Sequence, residues 1–176
     1  WSEGRVSLGK NKSINSSSRK FSSSGISIGA DKIKKEDRDT MYGYVFQYGN
    51  DNVDIGNSGT KLDTDTYSFA LYGSKLGEDH FFTNTLIGVS LLDIDQKRVT
   101  SYSDTLKGNR EGQQIYGSFN FGKRIVDEDI NLNPSIKLDL GYTKLKAFRE
   151  KTILGNTLAD TLLYKDQNIK SALITL

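Results

Sequence analysis

The chain has 176 residues, 24 basic and 22 acidic, with one proline, no cysteine and an apolar fraction of 35%. A net charge of +2 with no arginine-rich, aromatic-interleaved cluster argues against a nucleic-acid partner, and the lack of cysteine removes disulfides and thiolate metal sites. No apolar run approaches the roughly 20 residues a membrane helix needs, while 17 glycines, 9 tyrosines and 8 phenylalanines suit strands with bends and close contacts.

The first predicted strand, Trp1 to Lys10, sets Val6 and Leu8 against Arg5, Ser7 and Gly9. Asn11 to Ser24 is serine-rich and reads as loop. Gly25 to Asp31 is a second strand, Ile26, Ile28 and Ala30 opposing Ser27, Gly29 and Asp31, and Lys32 to Asp39 is a mixed-charge connection. Met41 to Gly49 carries Tyr42, Tyr44, Phe46 and Tyr48 against Gly43, Val45 and Gln47. After the polar stretch Asn50 to Lys61, a strand over Thr64 to Ser74 opposes Tyr67, Phe69 and Leu71 to Ser68, Ala70 and Tyr72. A short turn at Lys75 to Asp79 leads into Phe81 to Leu92, where Ile87, Val89 and Leu91 oppose Asn84, Gly88 and Ser90.

Asp93 to Gly112 reads as a long polar loop, and Gln113 to Lys123 as a strand with Ile115, Phe119 and Phe121 on one face. Val126 to Ile130 is an acidic turn. Pro134 to Thr143 holds the cleanest dyad, with Ile136, Leu138, Leu140 and Tyr142 against Lys137, Asp139 and Gly141. Lys144 to Asn156 is polar, Thr157 to Tyr164 a shorter strand, Lys165 to Asn168 a turn, and Ile169 to Leu176 a last strand, for about nine strands in all.

Period-two alternation does not say which face is wet, so a soluble β-sandwich binding module shares the pattern. The spacing favours a membrane wall. Strands of about 9–11 residues fit a tilted crossing, and long polar loops alternating with shorter charged turns fit an outer-membrane barrel with its loops outside the cell. The expected fold is therefore all-β, a transmembrane up-and-down antiparallel barrel. Its lipid face is Tyr42, Tyr44, Phe46, Tyr48, Tyr67, Phe69, Phe119, Phe121, Ile136, Leu138, Leu140 and Tyr142, and its lumen holds Arg5, Asp31, Lys137 and Asp139 among Gly29, Gly43 and Gly88.

No residue set reads as catalytic or metal-binding, and no cofactor is expected. The only histidine, His80, lies beside Asp79 in a turn without ligand-spaced partners. Acidic pairs such as Glu78-Asp79 and Asp127-Glu128-Asp129 read as solvated turns.

With the strands placed, Trp1-Ser2-Glu3-Gly4 with Gly9, then Gly25-x-x-x-Gly29-x-Asp31, then Gly43 in an aromatic strand, Tyr67 through Tyr72-Gly73, and Pro134 followed by Phe148-x-Glu150 occur in an order that resembles the C-terminal translocator barrel of bacterial autotransporters. The resemblance implies an outer-membrane barrel of about twelve strands that belongs to type V secretion, helps export an N-terminal passenger and inserts with the barrel-assembly machinery. It implies a passenger or linker helix in the pore, for which the inward glycines would leave room. It also marks residues 1–176 as one incomplete barrel domain lacking its last strands. Another outer-membrane barrel, a pore or adhesin, would share the physical argument and lack the passenger.

Overall fold

The structure, a computed structural model, is described for residues 1–11, 18–34, 37–56, 59–77, 79–100, 104–126, 131–154 and 161–176. In chain order the strands are β1 (Ser2–Asn11), β2 (Arg19–Lys34), β3 (Asp37–Ile55), β4 (Thr60–Leu76), β5 (Phe81–Val99), β6 (Thr105–Lys123), β7 (Ile125–Val126), β8 (Asn131–Leu132), β9 (Ser135–Leu145), β10 (Phe148–Arg149), β11 (Lys151–Leu154), β12 (Leu163–Tyr164) and β13 (Gln167–Thr175). One antiparallel wall runs β1-β2-β3-β4-β5-β6-β9-β13, and β11 adds to β6 beyond the end of β9. Every long strand pairs with the next long strand in the chain, as an up-and-down meander requires.

Where β2 to β6 outrun the predicted strands, most of the added length lies at one end of the wall, while β1, β9 and β13 shift by only one or two residues at each end. β2 to β6 are 16 to 19 residues long. Much of what reads as polar loop at Asn11 to Ser24, Asn50 to Lys61 and Asp93 to Gly112 is strand. Clean alternation marks a strand only where each face keeps one character, and these extensions are polar on the outward face but mix Val53, Ile55, Leu62, Ile94 and Leu106 with polar residues and glycine on the inward one. Ladder hydrogen bonds hold them regardless, in unbroken register from Thr40↔Lys75 to Ile55↔Thr60 and from Phe81↔Lys123 to Val99↔Thr105.

Of the predicted strand over Thr157 to Tyr164, residues 157–160 lie outside the described residues. The described part is corrected, since only β12 lies there among the described residues, it pairs with β10 and not with the wall, and β9 pairs directly with β13. The acidic turn at Val126 to Ile130 is flanked by the small hairpin β7/β8, and residues 127–130 of it lie outside the described ones. His80 sits in a turn as expected, with a left-handed φ of 62°, its N–H donating to the Gly77 carbonyl at 3.1 Å.

Candidate functional site: a wall with two faces

Directly paired cross-strand residues share a face, so the registers sort the side chains without ambiguity. One face carries Ile28, Phe46, Phe69, Val89, Ile115 and Tyr142 across six adjacent strands. These residues are bare: Ile28 is 57% exposed, Phe46 57% and Val89 53%. Among the described residues the buried apolar side chains are Ala70, Leu106 and Leu145 alone. The surface totals 12860 Å², against about 8,600 Å² for a compact soluble monomer of this mass. A soluble sandwich would cover these side chains with a second layer. That reading is set aside.

The upper limit of the apolar band does not follow one register row. It stands at Leu8 on β1, level in register with Ser22 and Asn52 of the next strands. It drops to the Tyr48-Tyr67-Leu91 row on β3 to β5, and to the Ile115-Tyr142 row on β6 and β9. A plane cutting tilted strands crosses registers in this stepwise way, so the band records a tilted barrel wall in a flat bilayer. From Phe81 to Leu91 the strand covers about 34 Å, which a tilt of about 40° reduces to about 25 Å, the height of an outer-membrane apolar belt. Tyr48 and Tyr67, ring centroids 5.2 Å apart, close its upper edge, and the Tyr48 hydroxyl donates to Asp65 Oδ1 at 2.7 Å. Tyr42, Tyr44, Leu71, Ile136, Leu138 and Leu140 share this face, Leu138 half-buried and the others exposed.

The opposite face is mostly polar, with aromatic rings set beside glycines. It carries Arg5, Gly29, Asp31, Gly43, Gly88, Lys137 and Asp139. Lys137 and Asp139 pair at 3.0 Å, Ser68 and Ser90 share a hydrogen bond of 2.8 Å, and Gln114 donates to Thr143 Oγ1 at 2.9 Å. Trp1 Nε1 donates to the Tyr72 hydroxyl at 2.8 Å, which donates to Asp31 Oδ2 at 2.8 Å, so one chain of bonds ties β4 and β2 to the start of β1.

The space beside the inward glycines is taken by neighbouring groups. A Cβ on Gly43 would stand 2.6 Å from the Tyr72 ring and 2.5 Å from the Ala30 carbonyl oxygen. One on Gly88 would meet the Tyr116 ring at 2.5 Å, and one on Gly29 the Trp1 ring at 2.7 Å. Each glycine is a seat for an aromatic ring laid flat along the wall, Tyr72 and Tyr116 coming from the directly paired position of the neighbouring strand.

Sequence reasoning missed a cluster at the end of the wall that carries the 146–166 connection. Glu150, 2% exposed, accepts from Arg98 Nε at 2.9 Å and Nη2 at 2.6 Å, and from the Leu162 amide at 3.0 Å. Arg98 beside it holds the Glu150 carboxyl below the usual carboxylate range, against the upward push of burial. Arg110, 8% exposed, donates from Nε to the Lys146 carbonyl at 2.7 Å, from Nη1 to Gln167 at 2.9 Å and from Nη2 to the Lys165 carbonyl at 3.0 Å. Its guanidinium lies 5.7 Å from the Phe148 ring, which stacks on Tyr164 at 4.5 Å. Arg98 and Arg110 fall in the stretch read as loop, so only Phe148-x-Glu150, noted for its resemblance, pointed here. Together these groups hold Phe148 and Tyr164 beside Leu62, Ile94, Arg110 and Leu145 on the inward side at the mouth of the wall.

The Autotransporter beta-domain family model matches residues 1–176. Among solved structures, the translocator domain of autotransporter NalP from Neisseria meningitidis aligns at a TM-score of 0.77 and 15% identity, over 98% of this chain and 57% of that one. The beta domain of the Bordetella autotransporter BrkA aligns at 0.41 and 12%, over 99% and 81%. Comparison with curated protein sequences gives no match. This chain thus spans 57% of the NalP translocator structure and shares its fold. By the match along its whole length, the chain belongs to the autotransporter β-domain family, a family of outer-membrane translocator barrels and not of enzymes.

Proposed function

We propose that this wall is part of a translocator barrel that anchors an N-terminal passenger in the outer membrane and helps move it to the cell surface. The observation that carries the reading is the pairing of a bare apolar face with a polar face lined by Arg5, Asp31, Ser68, Ser90, Lys137 and Asp139. Lipid stabilises the first face. The second gives a threaded polypeptide hydrogen-bonding partners without a continuous apolar surface to bind. The work is physical, and no residue is assigned a catalytic role. Insertion by the barrel-assembly machinery is part of this proposal and rests on membership of the family. The passenger or its linker occupies the polar side, and the loop end, with the 146–166 connection, faces outward.

The test is surface display of a reporter passenger by the complete protein in cells. Display by the native barrel, and reduced display with assembly intact when Ser68 and Ser90 are both changed to Trp to fill the polar face, support the reading. A reporter left in the periplasm by the native barrel overturns it. A pore or adhesin would show that second result.

A further inference from the structure

Above the apolar band the outward face turns charged in two tiers. The first holds Asp63, Asp65, Asp93 and Asp95, on the same face as Tyr67 and Leu91. The second is a run of lysines in direct register: Lys61 opposite Lys97, Lys97 opposite Lys107, and Lys107 opposite Lys151. The same row continues through Asp54 and Lys20 to Lys10. Like charges directly opposite on a sheet repel, and the neighbouring acids do little to relieve this. Asp93 and Asp95 both accept from Asn109 Nδ2, at 2.6 and 3.1 Å, and Asp65 accepts from Tyr48 and Asn50. Lys61 reaches Asp54 at 3.3 Å, but among the described residues no carboxylate pairs with Lys97, Lys107 or Lys151. A repulsive ladder built of cross-strand neighbours fits a surface whose counter-ions come from outside.

We propose that Lys61, Lys97, Lys107 and Lys151 bind the phosphorylated sugars of the outer-leaflet glycolipid that surrounds the barrel. Two features choose this partner over a phospholipid. The lysines share a face with the lipid-contacting side chains, so they look sideways over the membrane and not into the pore. They also stand about 20 Å of strand beyond Leu91, with the carboxylate tier between. The phosphates they meet therefore belong to a headgroup that extends well clear of the acyl chains. The orientation rests on the translocator reading, which sets this end outside the cell.

The experiment uses the complete protein in vesicles of four compositions: zwitterionic phospholipid alone, and the same lipid with phosphatidylglycerol, with lipopolysaccharide bearing phosphorylated core sugars, or with that lipopolysaccharide after its core phosphates are removed. Unfolding temperature is read by heat-modifiable gel migration. Phosphorylated lipopolysaccharide should raise it by about 2–4 °C over the dephosphorylated form, and added salt should erode the gain. The K97Q/K107Q variant should lose that gain, yet unfold at the same or a higher temperature than the native protein in zwitterionic lipid, because a repulsion has been removed. This reversal of sign separates anion binding from a merely structural role. An equal gain with phosphatidylglycerol, an equal gain from inorganic phosphate added to zwitterionic vesicles, or a variant that keeps the full gain overturns the proposal. Display of the reporter passenger by the same variant reports separately on the translocator reading.

Discussion

A carboxylate as buried as Glu150 must be paired or protonated, and here Arg98 and the Leu162 amide saturate it. Its folded-state pKa is lowered, so the stability it contributes is present above the unfolded value, about 4.3, and is lost as pH falls through the lower folded value. The contacts that tie Glu150 to Arg98 and Leu162 should therefore loosen only below about pH 4.3, read by hydrogen exchange of the Leu162 amide. Protection that is flat from neutrality down to pH 2 would remove Glu150 from this role. Glu150→Gln should bring the loosening to neutral pH at a cost of about 3 kcal/mol, the low end for breaking a buried pair since Arg98 is partly exposed. A second residue-scale effect concerns the ring seats. Gly43→Ala pushes a methyl against both the Ala30 carbonyl and the Tyr72 ring, and should cost about 1–3 kcal/mol in lipid-supported urea unfolding. Gly73→Ala is the control, because its Cβ would meet nothing nearer than the Met41 carbonyl at 3.7 Å.

At the scale of the strand, depth in the bilayer decides what a charge costs. Leu138 on β9 lies in the row Phe119-Leu138-Ile174, inside the apolar band, whereas Asp95 on β5 lies above it. Leu138→Arg should cost about 2–4 kcal/mol and Asp95→Arg about 0–1, measured as refolding equilibria in vesicles; equal costs would contradict the assigned band. The same boundary explains what the sequence disclosed. Inside the band, Ile136 to Tyr142 and Tyr42 to Tyr48 alternate because lipid and the polar interior impose opposite demands, so face and register are legible there. Above it Asn50, Asn52 and Asp54 are polar on the outward face while Asp51 breaks the inward one before Val53 and Ile55, so the strand that holds them is only faintly marked by periodicity. The Arg98-Glu150 and Arg110-Gln167 contacts join residues 52 and 57 positions apart, and no local pattern encodes such a distance. The glycines were legible as inward-facing but not as seats, because the ring that fills each one arrives from another strand.

For the molecule as a whole, stability is governed by an apolar face that meets no second layer of protein among the described residues. A chain that buries Ala70, Leu106 and Leu145 as its apolar interior among those residues cannot offset its conformational entropy by internal burial. The bilayer has to supply that burial, and the supply depends on matching thickness. An apolar band of about 25 Å is shorter than the roughly 30 Å core of a typical bilayer, and each ångström of mismatch costs a fraction of a kcal/mol. The complete protein, diluted from urea, should therefore aggregate in plain buffer, fold readily into thin vesicles of about 12-carbon acyl chains, and fold more slowly and less completely as the chains lengthen. Heat-modifiable migration scores the folded fraction. Folding in buffer without amphiphile would mean that the exposed row from Ile28 to Tyr142 finds cover in protein. A yield independent of chain length would mean that the wall does not cross the bilayer along the band defined by Phe81 and Leu91.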